Sequence, residues 1–336
     1  MKKISILLVL FVSIFSVILV GCKKKDDNTI RISEVTHSLF YAPLYVAMNN
    51  GYFEEEGLKI ELTNAGGSDT VMSSLISKSA DIGLMGPESC VYVRNNGMKN
   101  APVIFAQLTA CDGSFMVGRN NEGTTFSWEN LKGKHIIAGR KGGMPAMTLQ
   151  YILEEIKGMT TGAELSDGVD VKLDTTIAFN LTTSSFVAGT GDYCTMFDPT
   201  ASQCEIDETG YIVAALGDEV KDVPYTCFVA TNNYLKNNSN KLNKFIRALK
   251  KGYNYLINAT DTEVISSLKP SFSTTSDELI LASVKNYIRI GAYASSFELK
   301  ESSWNNMLDI IDNAGELTNR VAWTDAVNNS FAKKVA

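Results

Sequence analysis

The chain has 336 residues, 45% apolar and 20% charged, with 31 Lys and Arg against 37 Asp and Glu for a formal charge of −6 at pH 7. That composition is ordinary for a globular protein, and its mildly acidic balance argues against a nucleic-acid partner, whose phosphates need a basic surface. Only two histidines, His37 and His135, are present, which excludes a site needing three or more histidine ligands and leaves a Ser-His-Asp hydrolase one of these two to build on.

The first residues read as a lipoprotein signal. Lys2 and Lys3 precede a largely apolar run over 4–20 that ends in Leu19-Val20-Gly21-Cys22. A small residue before cysteine is where a lipoprotein signal peptidase cuts, so Cys22 becomes the lipidated first residue. A transmembrane anchor is the lesser reading, because the run lies near the lower edge of what spans a bilayer. Residues 22–28, with Lys23-Lys24-Lys25-Asp26-Asp27-Asn28, form a solvated tether holding a folded body on the extracytoplasmic side of the membrane. Removing 1–21 takes away Lys2 and Lys3 and no acid, so −6 becomes −8, and 315 of the 336 residues remain. That is more than one hydrophobic core normally organises, so two lobes are expected.

Downstream, short β-rich runs alternate with helical stretches, the pattern of an α/β sheet covered on both faces. Strands are predicted over 30–35, 58–62, 81–85 and 102–108, with helices over 43–48 and 70–77 and another starting at Pro87. Three times a strand's carboxyl end meets a glycine or hydroxyl loop from which a helix begins, and open α/β sheets bind ligands at such ends. A second α/β unit starts at 114–118 and takes strands over 135–138, 171–173 and 211–215 and a helix over 145–156. A strand over 224–230 returns to the first. The remainder is helical, with one apolar face of Phe245, Leu249, Tyr253 and Leu256 and another of Leu281, Val284, Tyr287 and Ile288. The expected organisation is a discontinuous lobe 1 (29–112 plus 226–336) and an inserted lobe 2 (113–225), with two crossings that make a hinge and a cleft.

Cys90, Cys111, Cys194, Cys204 and Cys227 are odd in number and lack short paired spacing. They read as buried small hydrophobes, with no metal site expected, although an exported compartment leaves a Cys194–Cys204 bridge open.

Several loops carry candidate ligand contacts. Gly67 and Ser68, after Gly66, offer backbone amides and a hydroxyl at a helix start, a ligand site or an ordinary cap. Gly86, Pro87 and Glu88 place an acid at a helix start, where it is either a dipole partner or an acceptor for a ligand's N–H groups. Gln107 and Thr109 end the strand that enters the hinge, where amide and hydroxyl contacts are available. Arg140, Lys141, Gly142 and Gly143 before Pro145 combine cations with helix amides as an anion cradle without the spacing of a nucleotide-binding loop. Phe197 and Asp198 pair an aromatic with a carboxylate suited to a flat nitrogen-containing ring, and Tyr225 stands where it can close over a ligand from the hinge.

Phe40-Tyr41-Ala42-Pro43-Leu44-Tyr45-Val46-Ala47 with Gly51-Tyr52-Phe53-Glu54-Glu55-Glu56-Gly57-Leu58, then Gly66-Gly67-Ser68 and Ala80-Asp81-Ile82-Gly83, resemble one substrate-binding protein family. It serves ABC importers of nitrate, sulfonates, taurine and thiamine-pyrimidine precursors and is related to the eukaryotic pyrimidine synthase. The resemblance implies a type II periplasmic-binding-protein fold, α/β, in two lobes with the ligand between them. It adds Thr36, His37 and Tyr41, in the loop after the first strand, and Tyr193, in the second-lobe strand-end region, as ligand contacts. It implies a monomeric lipoprotein receptor that captures a small molecule by lobe closure and delivers it to permease and ATPase subunits, without cofactor or catalysis. An N-heterocycle is favoured narrowly over a sulfonate or other oxyanion, because the candidates nearest the hinge are acidic and aromatic. The alternatives are a synthase-like enzyme, although the relative's cysteine-rich iron motif has no counterpart here, and the ligand-binding subunit of a sensor.

Overall fold

The computed structural model describes residues 28–335; the expected signal, Cys22 and nearly all of the tether lie outside the described residues. In strand Thr29–Glu34 (β1) the two isoleucines, Ile30 and Ile32, both point into the core, as a sheet face of period two requires. Helix Ala42–Asn49 (α1) follows, with Pro43 in its first turn, where an amide has no partner to lose. The first sheet continues through Tyr52–Glu55 (α2), Lys59–Asn64 (β2), Ser68–Ile76 (α3), Ile82–Met85 (β3), Glu88–Asn95 (α4) and Val103–Thr109 (β4). β1 pairs in parallel with both β2 and β3, the arrangement that helical crossovers permit.

The chain then crosses over 110–113 into a second sheet. It contains Ser114–Gly118 (β5), His135–Ile137 (β6), Met144–Tyr151 (α5) with a π-helical continuation over Ile152–Ile156, Thr161–Gly162 (β7) and Val171–Asp174 (β8). Thr182–Val187 (α6), Tyr193–Phe197 (β9), Thr200–Ile206 (α7), Tyr211–Ala215 (β10) and Leu216–Glu219 (α8) complete it, and its strand order is β10-β5-β9-β6-β8-β7. A second crossing over 220–225 leads to Thr226–Ala230 (β11), which inserts antiparallel between β3 and β4 and completes the first sheet as β2-β1-β3-β11-β4. Helices Asn232–Asn237 (α9), Ser239–Asn258 (α10), Asp261–Leu268 (α11), Asp277–Arg289 (α12), Glu301–Asn313 (α13) and Trp323–Ala326 (α14) finish the chain. Two mixed sheets flanked by helices and joined by two crossings are the α/β architecture expected from the sequence.

The face predicted on α10 packs inward: Phe245, Leu249 and Leu256 are buried and Tyr253 is half-buried. Phe245 stacks on Phe53 at 5.2 Å and meets Phe228 edge-on at 5.1 Å, locking α10 onto the first sheet. Gly252 permits this approach, since a Cβ there would collide with the Pro43 carbonyl oxygen and Ala47 of α1.

Two predictions about elements need correction. On α12 the buried face is Leu279, Ile280, Val284 and Tyr287, while Leu281 is half-buried and Ile288 exposed. Ser276 caps the helix, and Val284 and Tyr287 stay on the inward face, Tyr287 with its hydroxyl on the Asp198 backbone, while Leu279 and Ile280 take the places expected for Leu281 and Ile288. β9 was not predicted as a strand: it is flanked by β5 and β6 and its first four residues are buried, so Tyr193-Cys194-Thr195-Met196-Phe197 shows no alternation to read. All five described cysteines are buried free thiols. α13 lies against α5, where Asn313 Nδ2 donates to Glu154 Oε2 and Glu155 Oε1 at 3.2 Å each, so the C-terminal helices also touch the second sheet's helices.

Candidate functional site

Burial of a polar atom without a partner costs about 1–3 kcal/mol. Among the described residues seven buried side-chain atoms lack one; those of Asn95, Tyr234 and Asn313 belong to helices α4, α9 and α13, and the other four belong to Glu88 (Oε2), Asp112 (Oδ2), Thr148 (Oγ1) and Tyr225 (the hydroxyl). Their residues are 6%, 1%, 1% and 5% exposed. Glu88 begins α4 under the first sheet, Asp112 sits on the outgoing crossing, Thr148 lies in α5 of the second sheet and Tyr225 ends the returning crossing. Both sheets and both crossings therefore contribute one member each.

Local structure places each group. β3 ends at Gly86-Pro87, and Glu88 folds its carboxylate back over Gly86 so closely that a Cβ there would collide with both oxygens. Asp112 Oδ1 accepts from the Ser114 amide at 2.7 Å and from the Ser114 hydroxyl, which tightens the turn into β5 and leaves Oδ2 free. The Tyr225 and Thr148 hydroxyls stand close enough to act on the Asp112 carboxyl as hydrogen-bond donors and so hold down its rise, although neither reaches Oδ2 with normal hydrogen-bond geometry. Burial pushes the Glu88 carboxyl up to about 7 and that of Asp112 up to about 6, the Ser114 contacts opposing the rise. Burial likewise holds the Tyr225 and Tyr41 hydroxyls far above their usual range, helped by Asp112 beside Tyr225 and by Glu34 and Glu88 near Tyr41.

The apolar wall of the site is a triad drawn from the two halves. Phe40, Phe197 and Tyr225 have ring centroids 5.6, 5.8 and 6.1 Å apart in pairs. Tyr225 carries this cluster up to Asp112, and both Phe40 and Tyr225 are buried.

Other sequence candidates have different duties. The Asp198 carboxylate is fully engaged: Oδ1 accepts from the Ser202 amide at 2.9 Å and Oδ2 from Asn286 Nδ2 at 2.8 Å. Its backbone carbonyl accepts from the Ser38 hydroxyl at 3.0 Å and from the Tyr287 hydroxyl at 3.2 Å, stapling the halves together. His37 Nε2 donates to the Ser271 carbonyl at 2.9 Å while Nδ1 meets Glu34 Oε1 at 2.8 Å. Two acceptors favour the doubly protonated ring, and the Glu34 hydrogen bond raises its pKa. Thr36 is half-buried in the same loop. Gln107 Nε2 donates to the Ser296 carbonyl at 3.1 Å, and Thr109 Oγ1 accepts from the Thr226 amide at 2.9 Å, so both fasten β4 to its neighbours. Tyr193 lies at the opposite end of β9 from Phe197, with its hydroxyl on Glu122 Oε1 at 2.5 Å, away from the aromatic triad.

The 140–143 loop lies at the mouth between the halves. Gly66, Arg140, Lys141 and residues 175–178 with Asn180 line a groove of about 450 Å³. Arg140 and Lys141 are mostly exposed, 4.0 Å from Asp69 and 3.6 Å from Glu316 respectively. The Gly142 carbonyl accepts from the Tyr92 hydroxyl at 3.0 Å, Gly143 opens α5, and Gly67 and Ser68 open α3 half-buried nearby.

The family profile described as NMT1/THI5 like matches residues 40–262, which span more than half the chain. The chain belongs to this family. It is 38% identical to YtlA of Bacillus subtilis (strain 168), a provisionally named binding protein, over 94% of this chain and 93% of that one. It is also 26% identical to the 4-amino-5-hydroxymethyl-2-methylpyrimidine phosphate synthase of Aspergillus parasiticus, over 70% of this chain and 69% of the relative. Its fold matches a ligand-binding component of an ABC-type import system from Staphylococcus aureus with TM-score 0.72 at 14% identity, covering 92% of this chain and 99% of that one.

Within this family fold, Asp112 and Thr148 are members of the site that sequence reasoning passed over. Asp112 was visible only as part of a crossing segment, and Thr148 as one polar residue among Ala146, Met147 and Leu149 in a predicted helix. An acid in a short crossing between sheets and a hydroxyl on an otherwise buried helix face were the signals available. The two residues meet only where the outgoing crossing packs against α5 of the second sheet.

Proposed function

We propose that the chain is the solute-binding lipoprotein of an ABC importer, anchored through Cys22 outside the membrane, which closes its two lobes over a small molecule and passes it to a permease. The lobes are those expected from the sequence, 29–112 plus 226–336 and 113–225. The observation that carries this reading is the set of unpartnered buried polar atoms drawn from both sheets and both crossings: closure buries them together, and a ligand would satisfy them. The aromatic triad and the two acids favour an N-heterocycle related to thiamine pyrimidines. The Aspergillus relative, named for a pyrimidine phosphate, supports that class, while the 38% identity to a binding protein supports capture over synthesis. The second reading, an oxyanion held by Arg140 and Lys141, rests on the groove at the mouth, where an incoming anion would compete with Asp69 and Glu316.

The test is a melting-temperature and solution-scattering screen of the tether-free protein with pyrimidines, sulfonates, flavins and amines. A ligand-dependent rise in Tm with compaction supports the receptor, and silence across the panel removes it. Glu88→Gln weakening a ligand that Arg140→Ala leaves unchanged supports the heterocycle; the reverse pattern assigns the oxyanion.

A further inference from the structure

Buried acids elsewhere in this chain show what a structural carboxylate looks like here. Glu34 uses one oxygen for His37 at 2.8 Å and the other for the Tyr45 hydroxyl at 2.6 Å. Asp198 likewise has a donor on each oxygen. Glu88 and Asp112 are the two buried carboxylates, among the described residues, that keep an unpartnered oxygen.

The groups that face these two acids supply no positive charge. Around Glu88 stand Tyr41, Tyr92, Cys90, Cys227 and Tyr225. Around Asp112 stand Tyr225 and Cys111, with Ser114 and Thr148 as hydroxyl neighbours. Each of these titratable neighbours is a phenol or thiol that burial keeps neutral, so among the described residues neither carboxylate has a counter-ion. Burying a carboxylate without one is strongly unfavourable, whereas a ligand that brings the missing charge and donors turns the same geometry into binding energy.

Resting on the reading of this cleft as a capture site, we infer that its solute is an organic cation with N–H donors, spanning from the Glu88 carboxylate to a second pole made of Asp112, Tyr225 and Thr148. Glu88 comes from the first sheet's side and Thr148 from the second's, so the cation is the piece that makes the closed arrangement electrostatically complete. The Phe40, Phe197 and Tyr225 rings add a π surface that favours a flat cation over an aliphatic one. Sulfonates and carboxylates are disfavoured at the same place, since they would meet two acids and no cation.

The test uses matched charge series on the folded, tether-free protein: benzamidine, benzamide and benzoate, and the aminomethyl, hydroxymethyl and carboxylate derivatives of pyrimidine, titrated by calorimetry. The cationic member of a series is expected to bind tightest at about pH 8, and to weaken on the order of tenfold or more by about pH 5.5 as the two acids take up protons. Glu88→Gln and Asp112→Asn are each expected to weaken the cation by on the order of tenfold while changing the neutral member little. Both variants are checked first by their own melting curves, which separates lost binding from lost folding.

A neutral or anionic member that binds as well as the cation at about pH 8 overturns the cation while leaving the receptor standing. Cation binding indifferent to Asp112→Asn overturns the second pole. Any other solute from the wider screen whose affinity ignores both substitutions overturns the inference too. Silence from both the series and the wider screen overturns the receptor reading itself.

Discussion

Replacing Glu88 by glutamine is expected to stabilise the empty protein at alkaline pH and to do nothing at acid pH. The carboxyl sits at about 7 in the fold against an ordinary 4.5, raised by burial. Below the ordinary value both folded and unfolded chains carry the proton and Glu88 costs nothing. As pH rises toward 7 the unfolded chain has released its proton while the folded one still holds it, so stability is lost through this window and stays lost above it. At about 1.4 kcal/mol for each pH decade between the two values, the loss is about 3 kcal/mol. Glutamine does not titrate, so the variant's advantage should grow from nearly nothing at about pH 4 to ~3 kcal/mol at about pH 8. For a chain of this length that is roughly 5 °C in Tm. Calorimetric melting of both proteins across that range, without added solute, reads the difference directly. An advantage that fails to grow with pH, or a variant that melts earlier at alkaline pH, would show that Glu88 already has its partner and would refute the argument from its open oxygen.

Three further outcomes follow from the same structure. His37 is raised by Glu34, so its contribution is complete below its ordinary value of 6.5 and disappears as pH rises through the folded one; His37→Gln should destabilise more at about pH 6 than at about pH 9, read by urea midpoints. Asp198→Ala removes the acceptors of Ser202 and Asn286 and should cost about 2 kcal/mol, measured as a lower urea midpoint at unchanged slope. Gly252→Ala drives a methyl into the Pro43 carbonyl and Ala47 and should cost about 1–3 kcal/mol in a thermal melt; an unchanged Tm would mean that α10 can move away from α1 at little cost.

Local patterning carried most of the architecture. The β1 alternation of Ile30 and Ile32 and the inward face of α10 follow from periodicities of two and 3.6 residues, and the start of α1 from Pro43 in its first turn, all of which depend only on nearby residues. The departure into a second sheet and the return through β11 were legible from the order of strands and helices. β9 was not, because a strand walled in by β5 and β6 is apolar without a rhythm. On α12 the expected face keeps Val284 and Tyr287 and trades Leu281 and Ile288 for Leu279 and Ile280, because apolar residues ring this helix and only its packing partners decide which of them turn inward.

At the site, sequence pointed to Glu88, Phe197 and Tyr225 as residues at strand ends and crossings, and it could say that an acid or an aromatic stood there. Whether an acid is spent or open is a matter of neighbours distant along the chain. Asp198 and Glu88 read alike as letters, yet the first meets Ser202 and Asn286 while the second keeps a bare oxygen. Arg140 and Lys141 read as a cradle and stand at the mouth facing Asp69 and Glu316. Composition and spacing determine which side chains a segment can offer; burial and hydrogen-bond satisfaction, which exist only once both sheets and both crossings converge, decided which of them are left wanting a partner.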